Sequence, residues 1–138
     1  MDCVKASVLV VDDDPDTAEI TCMLIESFGH ECAIAHSGRR ALELARALRP
    51  QLALVDLSLP DMSGYEVARA LRGTATYCVA ATGFSGPEYR ARAFAAGFAD
   101  YLVKPYDVGA IESVIARGLP RPAKRTIATR LASVLDHG

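Results

Sequence analysis

Val8-Leu9-Val10-Val11-Asp12-Asp13-Asp14 is the stretch that decides the fold of this chain. An unbroken run of β-branched residues and Leu is typical of a strand that is covered on both faces, as the strands of a parallel sheet are. The run ends on consecutive Asp residues, and Pro15, which is favoured in the first turn of a helix, follows them. The stretch therefore predicts a buried strand that passes directly into a helix, with carboxylates at the junction.

Further stretches repeat this pattern of an apolar run that ends on a polar side chain. They are Leu54-Val55-Asp56-Leu57, Ala80-Ala81-Thr82-Gly83 and Tyr101-Leu102-Val103-Lys104-Pro105. Because the carboxyl ends of parallel strands lie at one edge of a sheet, that edge would collect carboxylates, a hydroxyl and an ammonium. Crowded carboxylates require a cation, and a hydroxyl beside a Lys favours an anion. The sequence therefore predicts a site for Mg²⁺ and a phosphoryl group.

Helical patterns separate the strand patterns along the body of the chain. The predicted strands are residues 8–11, 31–35, 52–57, 77–82 and 101–103. The residues predicted to cap the helices that follow them are Asp14, Ser37, Ser63, Ser85 and Asp107. The face of the first helix predicted to be buried carries Ile20, Met23, Leu24 and Phe28. This alternation predicts an α/β fold, a flavodoxin-like doubly wound (βα)5 sandwich with parallel strands in the order 2-1-3-4-5.

The composition is that of one globular domain. The chain has 138 residues, of which 51% are hydrophobic and 23% are charged. We expect a cytoplasmic protein without a membrane span, since no apolar run approaches the length of a span and the N-terminus lacks a signal-peptide pattern. The 4 Cys residues show no C-x-x-C pair, so we expect reduced, buried thiols.

The charge is divided unevenly between a body, residues 1–118, and a tail, residues 119–138. Residues 117–138 carry a net charge of +4, which leaves −6 on residues 1–116. The boundary is the stiff stretch Leu119-Pro120-Arg121-Pro122. Apolar tail residues at helical spacing are Ile127, Leu131, Val134 and Leu135. The tail could dock on the body, pair in a homodimer or begin a further segment. We expect no nucleic-acid binding by the body, and the basic tail residues lack interleaved aromatic side chains.

The carboxylates at the sheet edge determine the chemistry. Two carboxylates about 4 Å apart repel by roughly 4 kcal/mol at an effective dielectric of 20, so Asp12, Asp13 and Asp56 favour a bridging cation. A carboxylate is also a nucleophile toward phosphorus, which makes Asp56 the candidate acceptor. Lys104 and Thr82 would neutralise and bind the transferred group.

The motifs above, together with Val55-Asp56-Leu57-Ser58-Leu59-Pro60-Asp61-Met62-Ser63-Gly64, resemble the receiver domain of bacterial two-component response regulators over residues 6–118. The resemblance implies that Asp56 accepts a phosphoryl group from a phosphohistidine on a sensor histidine kinase or a histidine phosphotransfer protein. It also implies that Asp13, Asp56 and the backbone carbonyl of Ser58 bind Mg²⁺, with Asp12 acting mainly through ordered water.

The resemblance further implies a switch rather than an enzyme with an external substrate. Thr82 and Lys104 would hold the phosphoryl oxygens, and the peptide bond before Pro105 would be cis. Tyr101 would change rotamer when Thr82 moves, which would alter contacts with a downstream protein. The chain departs from the family at Phe84, a large residue near the path of hydrolytic water.

Two alternatives differ in class from a stand-alone receiver. A haloacid-dehalogenase-like phosphatase needs Asp-x-Asp-x-Thr/Val after the first strand. Read from Asp12, the motif fails because its last position is Asp16, and read from Asp13, it fails because its middle position is Pro15. A receiver fragment of a hybrid histidine kinase is the other. The 20 residues beyond residue 118 are too few for an output module, so we expect output through protein–protein contacts.

Overall fold

The computed structural model describes residues 7–119, which form an open parallel sheet with helices on both faces. The strands are β1 Ser7–Val11, β2 Glu31–Ala35, β3 Leu52–Asp56, β4 Tyr77–Thr82 and β5 Asp100–Val103. The helices are α1 Pro15–Ser27, α2 Gly38–Leu48, α3 Gly64–Ala70, α4 Pro87–Ala96 and α5 Val108–Gly118. All strand pairs are parallel and their order is β2-β1-β3-β4-β5. The predicted fold class and strand order are confirmed.

The central strands are mostly apolar up to their carboxyl ends because each face of the sheet is covered by helices. Along β1, Leu9 and Val11 belong to the apolar cluster formed with α2, α3 and α4. Val8 and Val10 point the other way and pack with α1 and α5. Alternate side chains therefore enter two different cores, which explains a strand with no polar face.

Most predicted helix starts are confirmed. The Ser37 hydroxyl accepts from the N–H of Arg40, and Asp107 accepts from the N–H of Ala110. Ser63 and Glu66 form the reciprocal capping box that their spacing predicts.

Two predicted caps behave differently. α4 starts at Pro87 with Gly86 as its cap, so the prediction that Ser85 caps this helix is wrong. Pro87 is the cause, because its fixed φ suits the first helical position and moves the start along the chain. Asp14 does occupy the cap position of α1, but its side chain accepts from the Thr17 hydroxyl at 2.5 Å rather than from a backbone N–H.

The buried face predicted for α1 is also wrong in part. Ile20 and Met23 are 60% and 68% exposed, whereas Leu24 and Phe28 are partly buried. The residues that face the sheet are Ala18, Thr21, Cys22 and Ile25. These follow the same helical spacing on a neighbouring stripe, so periodicity alone could not choose between the two faces.

A disulfide joins Cys22 of α1 to Cys32 of β2, with their Cα atoms 5.6 Å apart. The prediction that all thiols are reduced is therefore wrong for this pair. The two residues show no motif in the sequence and meet only because α1 packs on the sheet next to β2. Cys78 is a buried free thiol, and burial raises its pKa to about 11. Cys3 lies outside the described residues.

Within residues 7–119, no helix is both long and apolar enough to cross a membrane. The helix predicted in the tail lies beyond the described part of the chain.

Candidate metal centre

The carboxylates of Asp12, Asp13 and Asp56 meet at the carboxyl edge of the sheet. Val11 of β1 pairs with Val55 of β3, so the residues that follow them are neighbours. One oxygen from each of the three carboxylates lies within 4.8 Å of the others. Asp12 and Asp56 are buried and Asp13 is exposed. The predicted cluster is therefore present, and it opens to solvent on the side of Asp13.

Lys104 lies between the two buried carboxylates. Its Nζ donates to Oδ2 of Asp12 at 2.7 Å and to Oδ2 of Asp56 at 3.1 Å. Among the described residues, Asp13 has no such ion pair. The cluster thus has three carboxylates but one ammonium, which pairs with two of them, so an excess of negative charge remains at an edge that solvent can reach.

Backbone N–H groups bind the remaining oxygens of the buried pair. The N–H of Asp14 donates to Oδ1 of Asp12, and the N–H of Ser58 donates to Oδ1 of Asp56, both at 3.0 Å. The two side chains are therefore fixed in orientation, with Oδ1 on the backbone and Oδ2 on Lys104. Fixed orientation favours the selective binding of a small cation.

The electrostatics of the cluster follow from its burial. Burial raises the pKa of Asp56, and the charge of Asp12 adds to the rise, although the Ser58 N–H and Lys104 oppose it. Burial alone would lower the pKa of Lys104, but its bonds to Asp12 and Asp56 outweigh burial and raise the pKa. An ion pair ordinarily lowers the pKa of its acid. The opposite direction at Asp56 shows that Lys104 compensates the burial of this carboxylate incompletely.

Thr82 ends β4 beside the cluster. Ala81 pairs with Asp56 in the sheet, and Thr82 is the next residue along β4. Its side chain is buried, and Oγ1 accepts from the N–H of Phe84 at 3.2 Å. The structure therefore brings Thr82 to the correct edge but not into hydrogen-bond contact with the carboxylates.

Tyr101 of β5 points inward. It is 6% exposed, and its hydroxyl donates to the carbonyl of Phe84 at 2.6 Å. The guanidinium of Arg90 lies 5.7 Å from the centre of the Tyr101 ring, and Phe84 stacks on Tyr89 at 5.2 Å. The predicted switch residue, Tyr101, thus contacts the segment that follows Thr82 in the chain. The Lys104–Pro105 peptide bond is cis, as predicted.

No role for Asp61 was predicted from the sequence. Its carboxylate accepts from the N–H groups of Gly38 and Arg39 at 2.8 and 2.9 Å, at the N-terminus of α2. The sequence also did not predict that the imidazole Nδ1 of His36 lies 3.0 Å from the carbonyl oxygen of Asp12. Both contacts join parts of the chain that are more than 20 residues apart, so no local motif announces them.

The cluster suits Mg²⁺. It offers carboxylate oxygens at short mutual distances, retains negative charge after pairing with Lys104, and opens to water at Asp13. Mg²⁺ prefers oxygen ligands, keeps several waters and needs only one or two carboxylates from the protein. The residues that would hold it are Asp13 and Asp56, with Asp12 next to them.

Comparison with known proteins agrees with this geometry. Residues 8–116 match the family described as the response regulator receiver domain. The chain belongs to this family. It is thus a receiver domain of two-component signalling, and the phosphatase alternative is not supported.

Relatives and solved structures extend the assignment. An uncharacterized 14.6 kDa protein of Leptolyngbya boryana is 36% identical over 107 residues, which cover 75% of this chain and 82% of the relative. The DNA-binding response regulator MtrA of Mycolicibacterium smegmatis is 33% identical over 129 residues, 90% of this chain and 57% of MtrA. The chain thus spans little more than half of that regulator.

Solved receivers superpose closely on the described fold. The chemotaxis response regulator CheY4 of Vibrio cholerae is 28% identical with a TM-score of 0.79, covering 84% of this chain and all (100%) of that chain. The BeF3-activated DrrB receiver domain is 26% identical with a TM-score of 0.78, covering 86% of this chain and 100% of that one. The receiver fold therefore accounts for most of this chain.

Proposed function

We propose that this receiver accepts a phosphoryl group on Asp56 in a Mg²⁺-dependent step and then changes its protein contacts. The observation that carries the proposal is the carboxylate of Asp56. It is buried at a strand end, bonded to Lys104, and within 4.8 Å of two further carboxylates. Burying a carboxylate costs folding free energy, so a buried carboxylate at this position suggests a functional role. The Asp56 carboxylate is oriented and nucleophilic, and the Lys104 ammonium, together with a cation bound by the neighbouring carboxylates, would neutralise the incoming charge.

The donor in the proposed reaction is a phosphohistidine of a sensor histidine kinase or a histidine phosphotransfer protein. An oxygen of Asp56 forms a bond to phosphorus as the bond between phosphorus and the imidazole nitrogen breaks. The electron pair of that bond returns to the imidazole. Bound Mg²⁺ would neutralise charge on the phosphoryl oxygens. Lys104 would do the same with its ammonium, and Thr82 would donate its hydroxyl after moving toward the phosphoryl group.

Labelling by a small donor tests the acceptor. Acetyl phosphate or phosphoramidate with Mg²⁺ is expected to add one phosphoryl group to the wild type, seen by intact mass, and none to Asp56→Asn. Asp16→Asn, which changes an exposed Asp in the first turn of α1, serves as the matched control and should label normally. Equal labelling of wild type and Asp56→Asn would remove Asp56 from this role.

The protein donor would dock beside Lys104. A cavity of about 340 Å³ there is lined by α1 and by the segment after β5, including Ile20, Leu24 and Tyr106. Ile20 is exposed, and Lys104, which lines the same cavity, donates to Asp56, so we expect a donor at Asp56 to cover this rim. Ile20→Glu is therefore expected to slow transfer from a cognate kinase while leaving labelling by acetyl phosphate unchanged. Equal kinase transfer to both proteins would place the docking surface elsewhere.

The structural change caused by phosphorylation would reach the protein surface through Tyr101. Thr82 and the carbonyl that binds Tyr101 belong to one short segment, so a shift of Thr82 toward a phosphoryl group would displace the partner of the Tyr101 hydroxyl. The surface of α4, β5 and α5 would then differ between states, and a target that reads it would bind one state better. Structures with and without beryllofluoride test this coupling. Unchanged positions of Thr82 and Tyr101 in both would refute it.

We assign residues 1–118 to the receiver and residues 119–138 to a basic tail, whose first residue, Leu119, packs in the core with α1 and α5. The match to the family ends at residue 116, which supports this division. A cytoplasmic location follows from the proposed phosphodonors. Whether the chain acts alone or as part of a hybrid kinase, and whether it forms a homodimer, does not alter the role of Asp56.

A further inference from the structure

We propose that Asp61 is a positioning residue for the metal and phosphoacceptor cluster, which it holds in place by fastening the loop after β3 to α2. The inference rests on the proposed function, since it assigns Asp56 the acceptor role. Asp61 does not touch the cluster. It would act through the backbone of residues 57–63, called here the acceptor loop.

The inner end of the acceptor loop determines how Asp56 points. The N–H of Ser58 donates to Oδ1 of Asp56 at 3.0 Å. Ser58 also forms an antiparallel bridge with Ser63, and the N–H of Gly64 donates to the carbonyl of Leu57 at 3.0 Å. The loop is therefore closed on itself, and a displacement of its tip moves the amide that orients the Asp56 carboxylate.

The outer end of the loop is fastened to a different element. Oδ1 of Asp61 accepts from the N–H of Gly38 at 2.8 Å, and Oδ2 accepts from the N–H of Arg39 at 2.9 Å. These two N–H groups hold the pKa of Asp61 below its ordinary value. Hydrogen bonds to an ionised carboxylate are stronger than neutral ones, and the positive end of the α2 dipole adds to them.

α2 has a second capping residue, Ser37. Comparing variants of Ser37 and Asp61 separates loss of a helix cap from release of the acceptor loop. Ser37, which precedes α2 directly, accepts from the N–H of Arg40. Ser37 and Asp61 both satisfy N–H groups of the same helix end. Only Asp61 belongs to the acceptor loop, so only its removal releases that loop.

The acceptor loop also contacts α2 through an uncharged side chain, Met62, which packs against Gly38. A Cβ added at Gly38 would collide with Cγ of Met62 and lie 2.7 Å from its Sδ. Gly38 is a helical residue, and Ala is a better helix former than Gly. Gly38→Ala would therefore favour the helix intrinsically yet force the Met62 side chain to move, and we expect that movement to disturb the acceptor loop. The substitution perturbs the junction between the acceptor loop and α2 through Met62 rather than through the Asp61 hydrogen bonds, and it leaves the net charge unchanged.

The experiment is a titration of the full ¹⁵N-labelled chain with MgCl₂, followed by amide shifts, for the wild type and four variants. Asp61→Ala is expected to raise the Kd for Mg²⁺ about threefold to tenfold, less than the loss typical of a direct partner of a metal ligand. Gly38→Ala is expected to raise it in the same direction. Ser37→Ala should lower the melting temperature and leave the Kd within about twofold of wild type. Asp61→Asn retains an oxygen acceptor and should fall between wild type and Asp61→Ala.

Two results among the folded variants would overturn the proposal. If Asp61→Ala and Gly38→Ala both bind Mg²⁺ as the wild type does, Asp61 is a helix cap and nothing more. If Asp61→Asn loses as much affinity as Asp61→Ala while Gly38→Ala is normal, the effect is one of charge rather than position. Should Asp61→Ala fail to fold, Gly38→Ala still decides the matter. A wild type that binds no Mg²⁺ overturns the proposed function together with this inference, a result distinct from the first two.

Discussion

Asp13 is the member of the cluster whose removal should stabilise the protein when no metal is present. Its carboxylate lies within 4.8 Å of those of Asp12 and Asp56, but among the described residues Lys104 pairs only with the other two. Asp13→Asn keeps the size of the side chain and removes its charge. In metal-free buffer we therefore expect the variant to unfold at a higher temperature than the wild type.

The distances set the magnitude of this effect. Two unit charges 4.8 Å apart repel by about 0.9 kcal/mol in a water-like dielectric and by about 3.5 kcal/mol at an effective dielectric of 20. Asp13 is exposed, so the lower figure applies to each of its two neighbours, and attraction to the nearby Lys104 offsets part of it. A net gain of about 1 kcal/mol corresponds to roughly 4 °C for a domain of this size.

Calorimetry without Mg²⁺ measures the effect of the carboxylate repulsion, and calorimetry with Mg²⁺ measures the effect of losing a proposed metal ligand. At a Mg²⁺ concentration ten times the Kd, binding stabilises the wild type by about 1.4 kcal/mol. Asp13→Asn lacks one proposed ligand, so its advantage in melting temperature should shrink or reverse. Asp16→Asn is the control, because it removes a charge that favours the first turn of α1 and should lower the melting temperature slightly in both buffers. Destabilisation of the metal-free protein by Asp13→Asn would refute the repulsion.

Three further outcomes are expected. Truncation after Leu119, which packs in the core, should leave Mg²⁺ binding and labelling intact, and loss of either would show that residues 120–138 belong to the folded core. Dithiothreitol should lower the free energy of unfolding by about 2 to 3 kcal/mol, because the bond from Cys22 to Cys32 closes a short loop in the unfolded chain; Cys32→Ser should be insensitive to the reductant, and equal sensitivity would contradict the pairing. Burial works against the charged form of Asp100, but its hydrogen bonds, above all that from Arg117, hold its pKa below the ordinary value. Its contribution to stability is therefore full above the unfolded pKa and is lost as the pH falls through the folded one, so acid denaturation of Arg117→Gln should show a shallower pH dependence in that window than the wild type.

The sequence predicts the elements that depend on short-range patterns. A strand buried on both faces must be apolar along its length, so Val8 to Val11 could be assigned from the residues alone. The side chains at strand ends meet wherever parallel strands share an edge, which brought Asp12, Asp13, Asp56 and Lys104 together as predicted. This part of the site is a consequence of topology, and topology follows from alternation.

The features that the sequence did not predict depend on how elements are rotated against each other. α1 carries two apolar stripes, and only contact with the sheet selects Ala18 and Ile25 over Ile20 and Met23. The same rotation brings Cys22 to Cys32. Contacts of this kind require three-dimensional packing, and no residue pattern within either segment specifies them.

The geometry of Lys104 explains how one site can serve both the resting and the proposed phosphorylated chain. An ammonium has three N–H donors, and two of them are used by Asp12 and Asp56 at 2.7 and 3.1 Å. Among the described residues the third has no partner, so it is available to a phosphoryl oxygen. When Asp56 becomes an acyl phosphate, the bond from Lys104 to that residue can pass to the new group while the shorter bond to Asp12 is kept. A guanidinium is larger and its donors point in fixed directions in one plane, so we expect Lys104→Arg to be a more disruptive change at this edge than its unchanged charge suggests.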